Sequence, residues 1–444
     1  MSILGINKLA LDLVARDFSD GHAANNGGPT KTSRALAIIH LAARDAYAKV
    51  TAAYTPKLAG LPNKPAGLGG TDILGKAAVL GAGIRAAMVL YPDFVAFIND
   101  QSSLLTVGAD PVALFYGAQI ADIWLASRQG DGSSFPQTDT MYNNDPGRHR
   151  PDPVSQSATL GRTWGQVTPF VLANVPADAP LGPPPGLTTK AYAAALDDVF
   201  VNGRDNIAQR NATFQHHAAI ATFWGYDGSN KLGTPPRLYN QVVISTAEFQ
   251  ALAHKDQVNV LAAINAAMAD AGIAAWYWKY TYDFWRPIVG IREADAGWGP
   301  SSLGDGNTFR KHPSDPFWLP LGAPKSNPFP GPTAGVSGSN FTPNFPAYPS
   351  GHATFGSACF ETFAGLIGKE TDKIKTKFVS DEFNAKTTDN NGVVRPRWEQ
   401  TFTLKEAIEQ NKISRIYLGV HWIFDADGGE AVGKAVAAKA IAAF

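Results

Sequence analysis

Three short segments in the second half of this 444-residue chain carry side chains that could hold an anion and move protons beside it. The first is Lys279-Tyr-Thr-Tyr-Asp-Phe-Trp-Arg286-Pro287. Seven residues make two helical turns, so the spacing predicts Lys279 and Arg286 on one helical face, with Pro287 ending or bending the helix. Two cations set among aromatic rings call for an anion. The second is Pro349-Ser350-Gly351-His352, directly ahead of a helix-like run. The first N–H groups of a helix have no intrahelical partner and point outward, which makes an anion site. Ser350 adds a hydroxyl, Gly351 permits close approach, and His352 can move protons near neutral pH. The third runs from Ser414-Arg415 to His421 and Asp425. The last two lie four apart, which predicts one helical face. There the carboxylate would fix the imidazole tautomer and raise its basicity.

Each segment also has an ordinary reading when taken alone: a solvated basic stripe, a serine cap beside a packed histidine, and an i,i+4 pair near a surface arginine. Together they point to one tetrahedral oxyanion. Lys279, Arg286 and Arg415 would surround it, Ser350 and the Gly351 N–H would complete the shell, and His352 and His421 would flank it. Charge-assisted hydrogen bonds contribute roughly 1.5–3 kcal/mol each. Five or more of them could hold a multiply charged anion despite its desolvation.

Such a constellation needs a rigid frame, and the surrounding sequence supplies helices. Apolar residues recur at helical spacing over 33–53, 72–90, 111–128, 190–201, 246–285, 353–367, 404–417 and 427–444. Alternating strand patterns are almost absent, so the class is all-α, a helical bundle architecture with short strands confined to loops. Two Gly/Pro-rich stretches, 130–187 and 297–349, interrupt the helices. The second carries Phe317, Trp318, Phe329, Phe341, Phe345 and Tyr348, which favours a packed loop. The chain reads as one compact unit of two helical halves, 1–200 and 201–444, the second holding the site.

Composition removes several functions. Lys plus Arg equals Asp plus Glu at 38 each, so there is no basic excess for nucleic acid. The one cysteine, Cys359, excludes an intrachain disulfide and a cysteine-based zinc site, and it reads as a small apolar residue inside a helix. The N-terminus lacks the basic start and apolar core of a signal peptide. No run of about 18 apolar residues occurs, so no membrane span is expected. The nearest approach, 258–278, contains Asn259, Asn265 and Asp270 and reads as a buried helix. The native compartment stays open. No haem or dinucleotide motif is visible, so no haem, flavin or NAD is expected. His40 lies on an apolar helical face and reads as core. His149, between two arginines, reads as a surface loop residue, and His216 and His217 could lie near the site.

The three segments, in this order, resemble the signature shared by vanadium-dependent haloperoxidases and the type 2 phosphatidic acid phosphatase superfamily. The flanking text at 223–241, 283–292, 315–324, 345–356 and 413–426 looks most like the fungal chloroperoxidase branch. The likeness runs convincingly over about 215–430 and is weak in the first 200 residues. It implies two four-helix bundles, with the anion in the core of the second. It also implies vanadate, or phosphate in its place, held by Lys279, Arg286, Ser350, Gly351 and Arg415, with vanadium bonded to His421. His352 would be the acid–base residue, and Lys279 would polarise a peroxovanadate attacked by halide to give hypohalous acid. Asp227 matches a carboxylate that pairs with Arg415, and Asp425 one that supports His421. Trp276 and Phe345 match aromatic positions near the proposed halide site, which leans the chain towards the chloroperoxidase type. The implied partners are hydrogen peroxide, chloride or bromide, and an organic acceptor, with a homo-oligomer left open. The alternative on the same scaffold is a soluble acid phosphatase with His421 as nucleophile.

Overall fold

The helical text folds as expected into an all-α protein. The computed structural model describes residues 2–19, 22–135, 142–205, 212–324 and 340–444. Among them the N-terminal helices are α1 (Ser2–Asp17), α2 (Gly28–Thr51), α3 (Asp72–Leu90), α4 (Val95–Leu105), α5 (Pro111–Ser127), α6 (Val175–Asp178) and α7 (Lys190–Asn202). There follow α8 (Ala212–Phe223), α9 (Pro235–Ser245), α10 (Ala247–Gln250), α11 (His254–Tyr282), α12 (Pro287–Arg292), α13 (Gly351–Leu366), α14 (Leu404–Tyr417) and α15 (Ile423–Ala443). A small antiparallel ribbon joins β1 (Lys375–Val379) to β2 (Glu399–Thr403), with Lys377 opposite Thr401.

Helices α1, α2, α3 and α5 pack together, and α11, α13, α14 and α15 form a second group. Helix α11 also lies against α2, and one apolar core runs through both groups from Ile3 to Ala440. Two features fix the frame around the motifs. Asp270, buried in α11, accepts the N–H groups of Phe170, Val171 and Leu172 at 2.7, 2.7 and 2.8 Å, pinning the first long loop to this helix. In α15, a Cβ on Gly429 would fall 2.5 Å from Ser350 O, and one on Gly433 2.5 Å from Thr354 O. Side chains there would push α15 off the turn that begins α13.

Several boundaries differ from the sequence expectation. The span 246–285 is not one helix. The chain breaks between α10 and α11, and Ala253 is extended at φ −61°, ψ 152°. Helices α1, α4, α8 and α9 were not expected. Pro235 and Pro236 look like breakers but occupy the first turn of α9, where a missing N–H costs nothing. Within the Pro-rich loop, Trp318 and Tyr348 are buried, whereas Phe317 is 83% exposed, and Phe329 lies outside the described residues. Helices α3 and α11 are long and apolar enough to cross a bilayer, but 61% and 94% of their most apolar windows are buried against protein.

His40 is core, as expected. Its Nδ1 donates to Leu36 O at 2.7 Å and its Nε2 lies 3.1 Å from the Asn7 amide. Burial pushes its pKa down to about 4 from 6.5. As pH falls below 6.5 the unfolded chain takes up this proton and the folded chain does not. The stability of the neutral form is therefore whole above pH 6.5 and is lost as pH approaches 4. The loss is on the order of 3 kcal/mol. Urea unfolding at pH 7 and pH 4.5 should show this fall in the native chain and a smaller one in His40→Gln. Equal falls would refute the assignment.

Candidate functional site

Four segments converge on the buried end of one cavity. The last turns of α11 bring Trp276 and Lys279. Lys279 is fully buried, and its Nζ donates to the carbonyls of Pro346, Ala347 and Pro349 at 2.7, 3.0 and 2.5 Å. All three of its N–H bonds are thus spent on backbone. It contributes charge and holds the approach to Ser350. Burial drives its pKa well down, with Arg286 adding to the shift.

Arg286 does not share a helical face with Lys279. Helix α11 stops at Tyr282, and Asp283 turns left-handed (φ 51°). The chain then pairs with the first long loop: Trp285 N–H donates to Gly147 O at 3.0 Å, and His149 N–H to Asp283 O at 2.8 Å. Arg286 follows as the extended N-cap of α12, so Pro287 starts a helix instead of ending one. Its Nε donates to Phe345 O at 2.9 Å and its Nη1 to Val420 O at 2.7 Å. Nη2 is buried without a partner. Burial lowers its pKa to about 9, so it remains a cation at neutral pH.

His421 and Asp425 meet by helix capping, not along a helical face. His421 precedes Trp422, the N-cap of α15, and Asp425 is the third helical residue. The Asp425 carboxylate accepts Trp422 N–H at 3.0 Å and His421 Nδ1–H at 2.8 Å. With Nδ1 holding the proton, Nε2 carries a lone pair, and Arg286 Nη1 donates to it at 3.0 Å. Burial, then Arg286 and Lys279, push the imidazole pKa well down, so the ring is neutral. Burial raises Asp425 to about 7.

Ser350 caps α13, and Gly351 is its first residue. A Cβ on Gly351 would lie 3.3 Å from the Trp276 ring, so the indole packs directly over this turn. Arg415, wholly buried in the last turn of α14, forms a forked pair with Asp227: Nη2–Oδ1 2.7 Å and Nη1–Oδ2 3.1 Å. Its Nε is buried without a partner. His352 Nε2 donates to Gly225 O at 2.8 Å and lies 3.7 Å from Asp227 Oδ1. This bond places the ring's lone pair on Nδ1. Burial, then Arg415, lower its pKa to about 4. Trp276 and Phe345 stack obliquely, with centroids 4.7 Å apart.

A cavity of about 170 Å³ meets Gly351, His352, Arg415 and His421. Against three cations stands Asp227, already committed to Arg415, with Asp425 turned to His421. The unspent donors Arg286 Nη2 and Arg415 Nε, with the His421 Nε2 lone pair that here accepts from Arg286 Nη1, fit a tetrahedral oxyanion that can also accept a nitrogen ligand. Vanadate has that chemistry.

Comparisons with known proteins agree. The model of the VCPO second helical-bundle domain matches residues 259–444. The vanadium chloroperoxidase of Curvularia inaequalis is 30% identical over 483 residues, covering 90% of this chain and 75% of that protein. The chain belongs to the vanadium haloperoxidase family. Among solved structures, a bacterial vanadium-dependent iodoperoxidase aligns with a TM-score of 0.71 at 21% identity, covering 98% of this chain and 95% of that one. An apo-type bacterial vanadium-dependent chloroperoxidase aligns with a TM-score of 0.69 at 16% identity, covering 96% and 95%. At these identities the two share the haloperoxidase fold.

The sequence reading misplaced one histidine. His149 is not on the surface but 3% exposed, with both ring nitrogens lacking partners. Burial, then Arg286 and Lys279, push its pKa down to about 3. The pairing of 147–149 with 283–285 draws it under the cation cluster, and no local pattern signalled that contact. His217 instead stacks on Tyr417 with ring centroids 3.8 Å apart.

Proposed function

We propose that this haloperoxidase oxidises chloride or bromide with hydrogen peroxide to hypohalous acid, using vanadate held at His421. The observation that carries this reading is the neutral His421 ring, whose Nε2 lone pair sits among Lys279, Arg286 and Arg415. Cations alone would hold any tetrahedral oxyanion. A nitrogen lone pair in their midst adds a bond only where the anion's central atom accepts one. Bound there, vanadate supplies Lewis acidity that polarises a peroxide O–O bond.

The chain does the rest. Arg286, Arg415, the Ser350 hydroxyl and the Gly351 N–H bind and orient the oxygens. They form a preorganised field that needs no rearrangement as charge shifts. Lys279 adds its charge from behind, held by three carbonyls. His352, neutral at working pH, takes the peroxide proton at Nδ1 and returns it when hypohalous acid leaves. Asp227 holds Arg415 through the forked pair. Trp276 and Phe345 offer a dry, polarisable seat for the halide, which supports chloride as well as bromide.

The test is peroxide-dependent bromination and chlorination of a cyclic diketone by metal-stripped protein, before and after adding vanadate. Activity should appear only with vanadate and should fall when phosphate competes. The chloride-to-bromide ratio should drop in Phe345→His. No halogenation, together with hydrolysis of an aryl phosphate, would replace this reading with a phosphatase that uses His421 as nucleophile.

A further inference from the structure

His352 is held at two points, and different parts of the chain supply them. Its backbone is fixed from α14 and α9: the His352 carbonyl accepts Asn411 Nδ2–H at 2.8 Å and the Tyr239 hydroxyl at 3.1 Å. Its ring is fixed by Nε2–H donating to Gly225 O at 2.8 Å. A carbonyl can only accept, so this bond decides the tautomer, with the proton on Nε2 and the lone pair on Nδ1. Whatever places Gly225 O therefore places the base.

The next residue does that. Tyr226 is not a glycine, yet its backbone is left-handed at φ 51°, a conformation that bulky residues rarely adopt. Such strain persists only where the surroundings over-determine it, and it gathers at functional sites. Here the side chain supplies the restraint. Tyr226 is fully buried. Its hydroxyl donates to Gln241 Oε1 at 3.1 Å and accepts Asp381 N–H at 2.9 Å, and Gln241 Nε2 donates to Asp381 Oδ2 at 3.1 Å. These three bonds close a ring. Arg237 ties it to the frame, with Nη1 on Asp381 Oδ2 at 2.6 Å and Nε on Leu11 O at 3.0 Å. The strained residue stands between Gly225, whose carbonyl holds the His352 ring, and Asp227, whose carboxylate holds Arg415. The fork gives Asp227 an anchor of its own. Gly225 has no side chain to anchor it.

We infer that Tyr226 is a positioning residue for halide oxidation: its buried hydroxyl, through the left-handed turn at 225–227, sets the ring orientation and tautomer of His352. The inference rests on the halide-oxidising reading for its kinetic consequence but not for the orientation itself. Tyr226 does not line the cavity. Its effect passes through the ring of His352 and leaves the oxyanion donors where they are.

Tyr226→Phe keeps the aromatic ring and its packing and removes only the hydroxyl. Gln241→Met opens the same ring of bonds from α9. Two measurements on the full chain read the result. The first needs no turnover: nitrogen-15 NMR of histidine-labelled protein at neutral pH, with the His352 signals assigned by their absence in His352→Gln. The native ring should show the well-separated pair of signals of a single Nε2–H tautomer. Both variants should draw the two signals together as the tautomers exchange. The second follows bromide oxidation by the vanadate-loaded protein. Each variant should lower kcat/KM for peroxide about tenfold, and the double variant no further, while vanadate affinity by calorimetry stays within about twofold. Tyr116→Phe removes a buried hydroxyl that donates to Pro62 O from α5. As the control for lost stability, it should lower the unfolding midpoint and move neither readout. Unmoved His352 signals in both variants overturn the inference. So does a fall in vanadate affinity that matches the fall in activity, which would assign the turn to Arg415 instead. A single native tautomer that is lost in the variants, in a protein that oxidises no bromide, keeps the orienting role and overturns the functional reading.

Discussion

His421→Ala should lose halide oxidation by a factor on the order of 10³ or more, while the fold and its affinity for phosphate survive. Nδ1–H is fixed on Asp425 at 2.8 Å, which leaves the lone pair on Nε2, where it accepts from Arg286 Nη1 at 3.0 Å until a ligand replaces that bond. On this reading the His421 imidazole is the neutral nitrogen donor that would bond the metal centre among three cations. Removing it leaves Arg286, Arg415, Ser350 and Gly351 to hold oxygens by charge and hydrogen bonds. A phosphate site would thus keep most of its affinity, and vanadate should lose far more than phosphate. Calorimetric titration of both oxyanions into native and variant protein reads this directly. Equal losses for the two anions would remove the nitrogen bond from the account. Asp425→Asn should lie between, at about 10–100-fold weaker vanadate binding, because it releases the imidazole tautomer without removing the ring.

Asp227→Ala should destabilise the protein by about 3–5 kcal/mol, since it strips the partner from a buried guanidinium. Arg415 is fully buried, and both of its terminal nitrogens are engaged by this one carboxylate. The same change should move His352 further below its pKa of about 4. Burial, Arg415 and Arg286 lower it, and Asp227 raises it together with the Gly225 carbonyl. Urea unfolding measures the first effect. Millimolar phosphate should restore part of the lost stability by supplying negative charge where Asp227 stood. An unchanged unfolding midpoint would show that Arg415 finds another partner and that the pair is dispensable.

The residues that could touch an oxyanion were legible because they sit in three short segments whose spacing is local. The geometry joining them was less legible, because it depends on how the chain turns between and after those segments. Lys279 and Arg286 looked like neighbours on one helix. They meet because the chain reverses at Asp283 and pairs with 147–149, a contact more than 130 residues away in sequence. His421 and Asp425 looked like a helical i,i+4 pair and are joined by an N-terminal capping arrangement. The forked Asp227–Arg415 contact followed from resemblance and not from any pattern in the chain itself.

The cavity walls divide between the two ends of the chain. Every group aimed at the oxyanion lies between Trp276 and Asp425, apart from Asp227, whereas Phe18, Gly28, Pro29 and Leu160 line the same space from the first 160 residues. Phe341, Pro343 and Asn344 complete that lining from the later part. Substitutions at Phe18, Gly28, Pro29 and Leu160 can therefore reshape the entrance directly, whereas 147–149, which pair with 283–285 ahead of Arg286, are tied to the later part.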